Sequence, residues 1–99
     1  MKIILDDRRA MPEKGPYNCV RTFEECAFLI RNIHVISFIS LDYDLGAEKT
    51  GYDVLLYMTE CGNEVKHINI HSDHSEGVPK MTKYVEEHFP NTELTFNSL

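Results

Sequence analysis

The chain has 99 residues, of which 42% are hydrophobic and 26% are charged, and this composition excludes disordered and fibrous proteins. The net charge of -6 argues against binding to duplex nucleic acid or to an anionic membrane. No apolar run reaches the roughly 18 to 20 residues that span a bilayer, and the start of the chain has no signal-peptide pattern. Three cysteines without CxxC spacing argue against a disulfide framework and a zinc cluster. We therefore expect one cytoplasmic domain over residues 1–99.

The first half of the chain predicts two strands and a helix. Lys2 to Asp6 is a short apolar run that ends at acids, which is typical of a strand buried on both faces. After an exposed loop, a second short strand is expected near Tyr17 to Val20. Thr22 and Glu25 have the spacing of a capping box, and the apolar spacing that follows predicts a helix over Phe23 to Asn32.

The second half repeats the alternation of strands and helices. His34 to Leu41 predicts a buried strand that stops at Asp42. Gly51 to Cys61 predicts a second helix, which Gly62 would end. His67 to His71 predicts the fourth strand.

A third helix is expected from the first turn around Pro79, and Thr92 to Phe96 is expected to form the last strand. Strands that alternate with helices favour an α/β fold with a mainly parallel sheet that is covered on both faces.

Polar residues follow three of the predicted strands. They are Asp6 and Asp7, Asp42 and Asp44, and His71 and Ser72. The carboxyl ends of parallel strands share one edge of a sheet, where ligands bind. Several carboxylates in one crevice repel each other unless a hard cation such as Mg²⁺ is present, and Mg²⁺ commonly contacts substrate phosphate. The alternative is that each acid only caps a backbone amide in a loop.

The order of these residues resembles the phosphoacceptor receiver domains of two-component signalling. That resemblance implies that Asp6 and Asp7 bind metal, that Asp42 is the acceptor-like carboxylate and that Ser72 contacts the phosphoryl group. Receivers also carry a lysine after the fifth strand, whereas this chain continues from Leu94 to Ser98 without one.

A closer resemblance is to the cyclic-phosphate processing receiver-like domains. It rests on four motifs, which are found at Leu5 to Pro12, Ser40 to Gly46, Thr50 to Leu55, and Ile70 to Ser72. The resemblance implies a small flavodoxin-like three-layer sandwich with a five-stranded sheet of order 2-1-3-4-5, truncated before the last helix. It also implies the processing of cyclic phosphates at nucleotide or RNA ends. The chain departs from the family at Tyr43, where the family usually has His, and at His74, where an Asn often follows.

Site roles follow from these patterns together. We expect Asp42, His71 and Asp44 to be catalytic, and Asp6, Asp7 and Asp42 to bind Mg²⁺ or Mn²⁺. The residues expected to bind phosphate are Ser72, Arg9 and His74. His71 could equally be a structural histidine, His74 a surface loop residue, and Arg9 a loop ion pair with Asp7 or Asp44. Arg21 also matches a family position and could brace the loop instead.

Three functions are consistent with the sequence. The first is a metal-dependent phosphoesterase-like enzyme that acts on a cyclic or terminal phosphate of a nucleotide or RNA end. The second is a stand-alone receiver phosphorylated at Asp42, and the third is a catalytically silent module that binds a nucleotide or a protein. The expected partner is a small phosphorylated ligand or nucleotide, and the sequence indicates no particular protein partner.

Overall fold

The computed structural model describes residues 1–11 and 15–97. In chain order the elements are β1 (Lys2–Leu5), β2 (Tyr17–Val20), α1 (Phe23–Arg31), β3 (Val35–Ile36), β4 (Phe38–Leu41), α2 (Gly51–Cys61), β5 (Glu64–Val65), β6 (His67–Ile70), α3 (Gly77–His88) and β7 (Glu93–Phe96). Pro12 of the first motif and Ser98 of the last predicted segment lie outside the described residues. None of the helices in the described ranges is long and apolar enough to cross a membrane.

A five-stranded parallel sheet forms the centre of the structure, with the strand order β2-β1-β4-β6-β7. Taken in chain order, these five strands run 2-1-3-4-5. The predicted class, an α/β domain of small flavodoxin-like receiver type, is confirmed.

The strand expected over His34 to Leu41 is in fact two strands. Ser37 separates β3 from β4, because its backbone N–H and its hydroxyl both donate to the carbonyl of Met1, at 2.9 and 3.0 Å. β3 then pairs with β5 in a separate two-stranded parallel sheet. Strands of two residues are too short to show a period of two, so no pattern in the sequence predicts this pair.

The hydrophobic core lies on one face of the sheet. The strand residues Ile3, Ile39 and Ile68 are fully buried and stand side by side in register. They pack in one cluster with apolar residues of all three helices, and α2 contacts both α1 and α3. The three helices therefore form a single layer.

This arrangement differs from the predicted sandwich, which has helices on both faces. Right-handed connections that run from β2 towards β7 place their helices on one side of the sheet, whereas helices for the other side would come between β1 and β2 or after β7. The described residues in those two places contain no helix.

Local signals fix where the helices begin and end. The capping box predicted at the start of α1 is present, since Thr22 Oγ1 accepts from the Glu25 N–H and the Glu25 carboxylate accepts from the Thr22 N–H. Gly62 ends α2 with a φ of 71°, a left-handed conformation that glycine adopts without a Cβ penalty.

Candidate functional site

Asp6 is the first residue after β1 and is almost completely buried. Its Oδ1 accepts hydrogen bonds from the backbone N–H groups of Arg8 and Arg9, at 3.0 and 2.8 Å. These bonds turn the chain and aim the other carboxylate oxygen along the edge of the sheet. The acid at the end of the first strand is therefore both a turn former and a site residue.

Asp42 and His71 follow the two strands next along the sheet, β4 and β6. One ligand atom from each of Asp6, Asp42 and His71 lies within 4.8 Å of the other two. Strand order reverses between β1 and β4, because the chain passes from β1 to β2 on one side and then to β4 on the other. The cluster therefore lies at the switch point where ligands bind in open α/β sheets.

The two carboxyl groups have displaced pKa values. Burial raises the pKa of Asp42, and the nearby Asp6 charge adds to this effect, against a hydrogen bond from Ser72 that lowers it. Burial alone would also raise the pKa of Asp6, but the N–H groups of Arg9 and Arg8, together with His71, lower it below its ordinary value. Asp6 is thus the ionised member of the pair, and Asp42 is the one that more readily carries a proton.

His71 is fully buried and both of its ring nitrogens have partners. Nε2 lies 3.0 Å from Asp6 Oδ2, and Nδ1 lies 2.6 Å from Ser40 Oγ. Burial lowers the pKa of His71, although the charges of Asp6 and Asp42 oppose this. The imidazole is therefore held as a neutral group between an acid and a hydroxyl.

Ser40 and Asn69 extend this network, although neither was expected from the sequence to be a site residue. Both are fully buried, and Asn69 Nδ2 donates to Ser40 Oγ at 2.8 Å. A signal did exist, because each is the one polar residue inside the buried part of an apolar strand, and a buried polar group needs a hydrogen-bond partner.

A pocket of about 310 Å³ opens over the cluster. Its lining residues are Asp6, Arg8, Arg9, Asp42, His71, Ser72 and Asp73. The side chains of Arg8 and Arg9 are 85% and 56% exposed, and Arg9 Nε lies 3.6 Å from Asp6 Oδ2. The pocket therefore combines a carboxylate floor with guanidinium groups at its rim. Of these two arginines, only Arg9 was expected from the sequence to bind phosphate.

Three of the expected site residues lie outside both the carboxylate and imidazole cluster and the lining of the pocket. Asp7 Oδ2 is 3.8 Å from Arg8 Nε and lies beside Gly46. Asp44 is exposed, and its carboxylate accepts the backbone N–H of Gly46 at 2.9 Å. His74 Nδ1 accepts the N–H of Gly77 at 2.8 Å, at the start of α3.

Tyr43 packs beside the site. Its ring centroid is 4.5 Å from that of His74, and the ring lies directly against Gly77, where any Cβ would overlap it. Gly51 allows a second close approach, because a Cβ there would overlap the backbone carbonyl of Asp42. The two glycines hold the starts of α3 and α2 close to the edge of the sheet.

Two other cations have structural contacts. Arg21 Nη1 donates to the carbonyl oxygens of Arg9 and Asp6, at 2.6 and 3.2 Å, so it braces the loop after β1. Lys80 Nζ lies 4.1 Å from the centre of the Tyr52 ring and does not line the pocket.

No curated protein and no solved structure matches the chain. The family described as the cyclic-phosphate processing receiver domain matches residues 1–87. This range includes every residue of the pocket and all of the strands except β7. The chain therefore belongs to the family of cyclic-phosphate processing receiver domains.

Proposed function

We propose that this domain binds a cyclic or terminal phosphate of a nucleotide or RNA end in the pocket above Asp6 and Asp42, and opens or removes it in a metal-dependent reaction. The observation that carries the proposal is the convergence of Asp6, Asp42 and His71 within 4.8 Å beneath two exposed arginines. The family description links such domains to cyclic-phosphate processing.

The donor set suits a hard divalent cation. Two carboxylates lie together with one imidazole, and the pKa of Asp42 is raised by burial and by the Asp6 charge, so a cation here would relieve an unfavourable pair of acids. Asp6 and Asp42 would hold Mg²⁺ or Mn²⁺, with His71 next to them. A bound Mg²⁺ or Mn²⁺ supplies positive charge that stabilises the developing charge on phosphate oxygens.

The rim residues account for recognition of the phosphate. Guanidinium groups donate two parallel hydrogen bonds to phosphate oxygens, and Arg8 and Arg9 both line the pocket with exposed side chains. Ser72 also lines the pocket, and its hydroxyl is hydrogen-bonded to Asp42. It would contact an oxygen of the phosphate that the arginines hold.

Hydrolysis of a cyclic phosphate forms one bond from water oxygen to phosphorus and breaks one ester P–O bond. The proton lost by the water ends on the released hydroxyl. Asp42 lines the pocket, so we assign the transfer of this proton to the carboxylate oxygen of Asp42 that would stay free when the other holds the metal. His71 has no free nitrogen, so we assign it the task of holding Asp6.

A binding-only function is the second candidate, and the packing of Tyr43 favours it. The family usually has His at this position, whereas here the Tyr43 ring packs against His74 and Gly77. If the missing imidazole is the proton donor of other members, the domain would hold a nucleotide without turning it over.

Turnover can be followed by ³¹P NMR with 2',3'-cyclic and 3',5'-cyclic nucleotides, in Mg²⁺ or Mn²⁺ and in EDTA. We expect ester opening that EDTA abolishes and that Asp42→Asn reduces at least about a hundredfold, within the range for loss of a general base. Glu60→Gln, which removes an exposed charge from α2, is the matched control and should behave as wild type. Ligand-dependent ³¹P shifts without turnover would reject the enzyme and support the binding module, and equal turnover in EDTA would reject the metal.

A further inference from the structure

A row of hydrogen-bonded side chains crosses the sheet and ends at Asp6. Its first member, His67, lies at the opposite end of β6 from the pocket, with a side chain that is 25% exposed. The successive distances are 2.7 Å from His67 Nε2 to Thr95 Oγ1, 2.8 Å from Thr95 Oγ1 to Asn69 Oδ1, 2.8 Å from Asn69 Nδ2 to Ser40 Oγ, 2.6 Å from Ser40 Oγ to His71 Nδ1, and 3.0 Å from His71 Nε2 to Asp6 Oδ2. The row lies on the face of the sheet that carries no described helix.

The end at Asp6 fixes the position of one proton. An ionised carboxylate accepts hydrogen bonds and donates none, and Asp6 already accepts two backbone N–H groups. The contact with His71 Nε2 therefore requires a proton on Nε2. In a neutral imidazole the other nitrogen, Nδ1, is then an acceptor.

The hydrogen bonds at the other end of the row, at His67 and Thr95, indicate the same tautomer of His71. The hydroxyl of Thr95 has one proton, which it donates to Asn69 Oδ1, so it accepts from His67 Nε2–H. With its oxygen occupied in this way, the Asn69 amide presents Nδ2, a donor only, to Ser40. Among the described residues, His71 Nδ1 is the acceptor left for the one proton of the fully buried Ser40 hydroxyl, so every bond in the row points the same way.

We propose that Ser40 and Asn69 are positioning residues that hold His71 as the neutral Nε2–H tautomer, so that its N–H fixes the Asp6 carboxylate in the pocket. Thr95 and His67 set the orientation of the Asn69 amide. The task of Asp6 rests on the proposed function, whereas the tautomer of His71 does not. These residues act on any ligand only through Asp6.

The experiment is long-range ¹H–¹⁵N NMR of the histidine rings near neutral pH in EDTA, since the ¹⁵N shifts and coupling pattern distinguish the two tautomers. The His71 signals are identified by their loss in a His71→Gln variant. We expect the Nε2–H pattern in wild type. Asn69→Asp replaces the amide donor with an acceptor at unchanged size, so Ser40 turns its proton to Asp and His71 gains a proton on Nδ1. Nδ1–H in wild type, or an unchanged pattern in folded Asn69→Asp, would overturn the proposal.

A second pair of variants decides the matter if the buried carboxylate of Asn69→Asp prevents folding, as judged by circular dichroism. Thr95 is only half-buried and lies in β7 at one side of the sheet. Thr95→Val removes the hydroxyl that donates to Asn69 Oδ1 and so weakens the orientation of the Asn69 amide, and His71 should then show a population with the proton on Nδ1. Thr95→Ser keeps the hydroxyl and should match wild type. A His71 spectrum that is identical in Thr95→Val and wild type would overturn the proposal.

These spectra are independent of catalysis. An absence of nucleotide turnover would reject the enzyme and leave the tautomer assignment standing. A wrong tautomer with normal turnover would reject the positioning role alone.

Discussion

Asp6 and Asp42 follow neighbouring parallel strands, and the fold moves their pKa values in opposite directions. The difference comes from their surroundings, since Asp6 accepts two backbone N–H groups and faces an imidazole. Asp42 is held near the Asp6 charge with fewer compensating donors. The two acids are therefore expected to affect stability with opposite signs.

Asp42→Asn is expected to stabilise the metal-free protein near neutral pH by about 1 kcal/mol, in the range seen when an unfavourable functional group is removed. A raised pKa in the folded state gives a contribution to stability that is present below the unfolded pKa of about 3.8 and is lost as the pH rises through the folded pKa. The gain should therefore disappear in acid. Urea unfolding in EDTA, at neutral pH and in acid, measures this gain in stability, with Glu60→Gln as the control. A loss of stability at neutral pH would contradict the prediction.

Asp6→Ala is expected to destabilise the protein near neutral pH by about 1 to 3 kcal/mol, because it leaves a buried His71 N–H without its acceptor. The lowered pKa of Asp6 gives a contribution that is present above the unfolded value of 3.8 and is lost as the pH falls through the folded pKa. The difference between variant and wild type should therefore narrow in acid. Urea unfolding across this pH range measures it, and a constant difference would show that the Asp6 charge does not contribute.

Gly77→Ala is expected to destabilise the protein by about 1 to 3 kcal/mol, the usual cost of overpacking, because the added methyl group would overlap the Tyr43 ring. Tyr43→Ala should relieve most of this cost, so the two substitutions should be strongly non-additive in a double-mutant cycle. Gly51→Ala is the control, since its overlap is with the backbone carbonyl of Asp42 and Tyr43→Ala should not relieve it. Additive effects at residues 43 and 77 would contradict the packing.

The three cysteines are expected to differ in reactivity. Cys26 is fully buried in α1, and burial raises the pKa of its thiol to about 12, whereas Cys19 and Cys61 are exposed. Since the thiolate is the reactive form, a thiol reagent should label two cysteines in the native protein and the third only in denaturant. Rapid native labelling of Cys26, identified by peptide mass, would show that α1 opens readily.

The convergence of the predicted site residues depends on one rule, that the carboxyl ends of parallel strands meet at one edge of the sheet. That rule was sufficient to bring together Asp6, Asp42, His71 and Ser72. It could not separate Asp6 from Asp7, because adjacent side chains point in different directions once the chain leaves the strand. Asp44 lies outside the cluster because its carboxylate accepts the N–H of Gly46 in a turn. His74 lies outside it because its ring accepts the N–H of Gly77 at the start of α3.

The layers were harder to predict than the elements. Alternation of strands and helices predicted the parallel sheet, but the number of helices on each face depends on which connections contain one. The step from β1 to β2 has no described helix, and the face away from the helices carries Ser40 and Asn69, which are fully buried and hydrogen-bonded to each other.

This polar row also has a consequence for folding specificity. In β4 and β6 the apolar residues alternate with Ser40 and Asn69, and slipping either strand by one residue would exchange the two sets between the faces. Ser40 or Asn69 would then be buried against the helices without hydrogen-bond partners, at a cost of about 1 to 3 kcal/mol for each group. Isoleucines alone would fit several alignments of these short strands almost equally well, and the two polar side chains leave one alignment in which both of them are hydrogen-bonded.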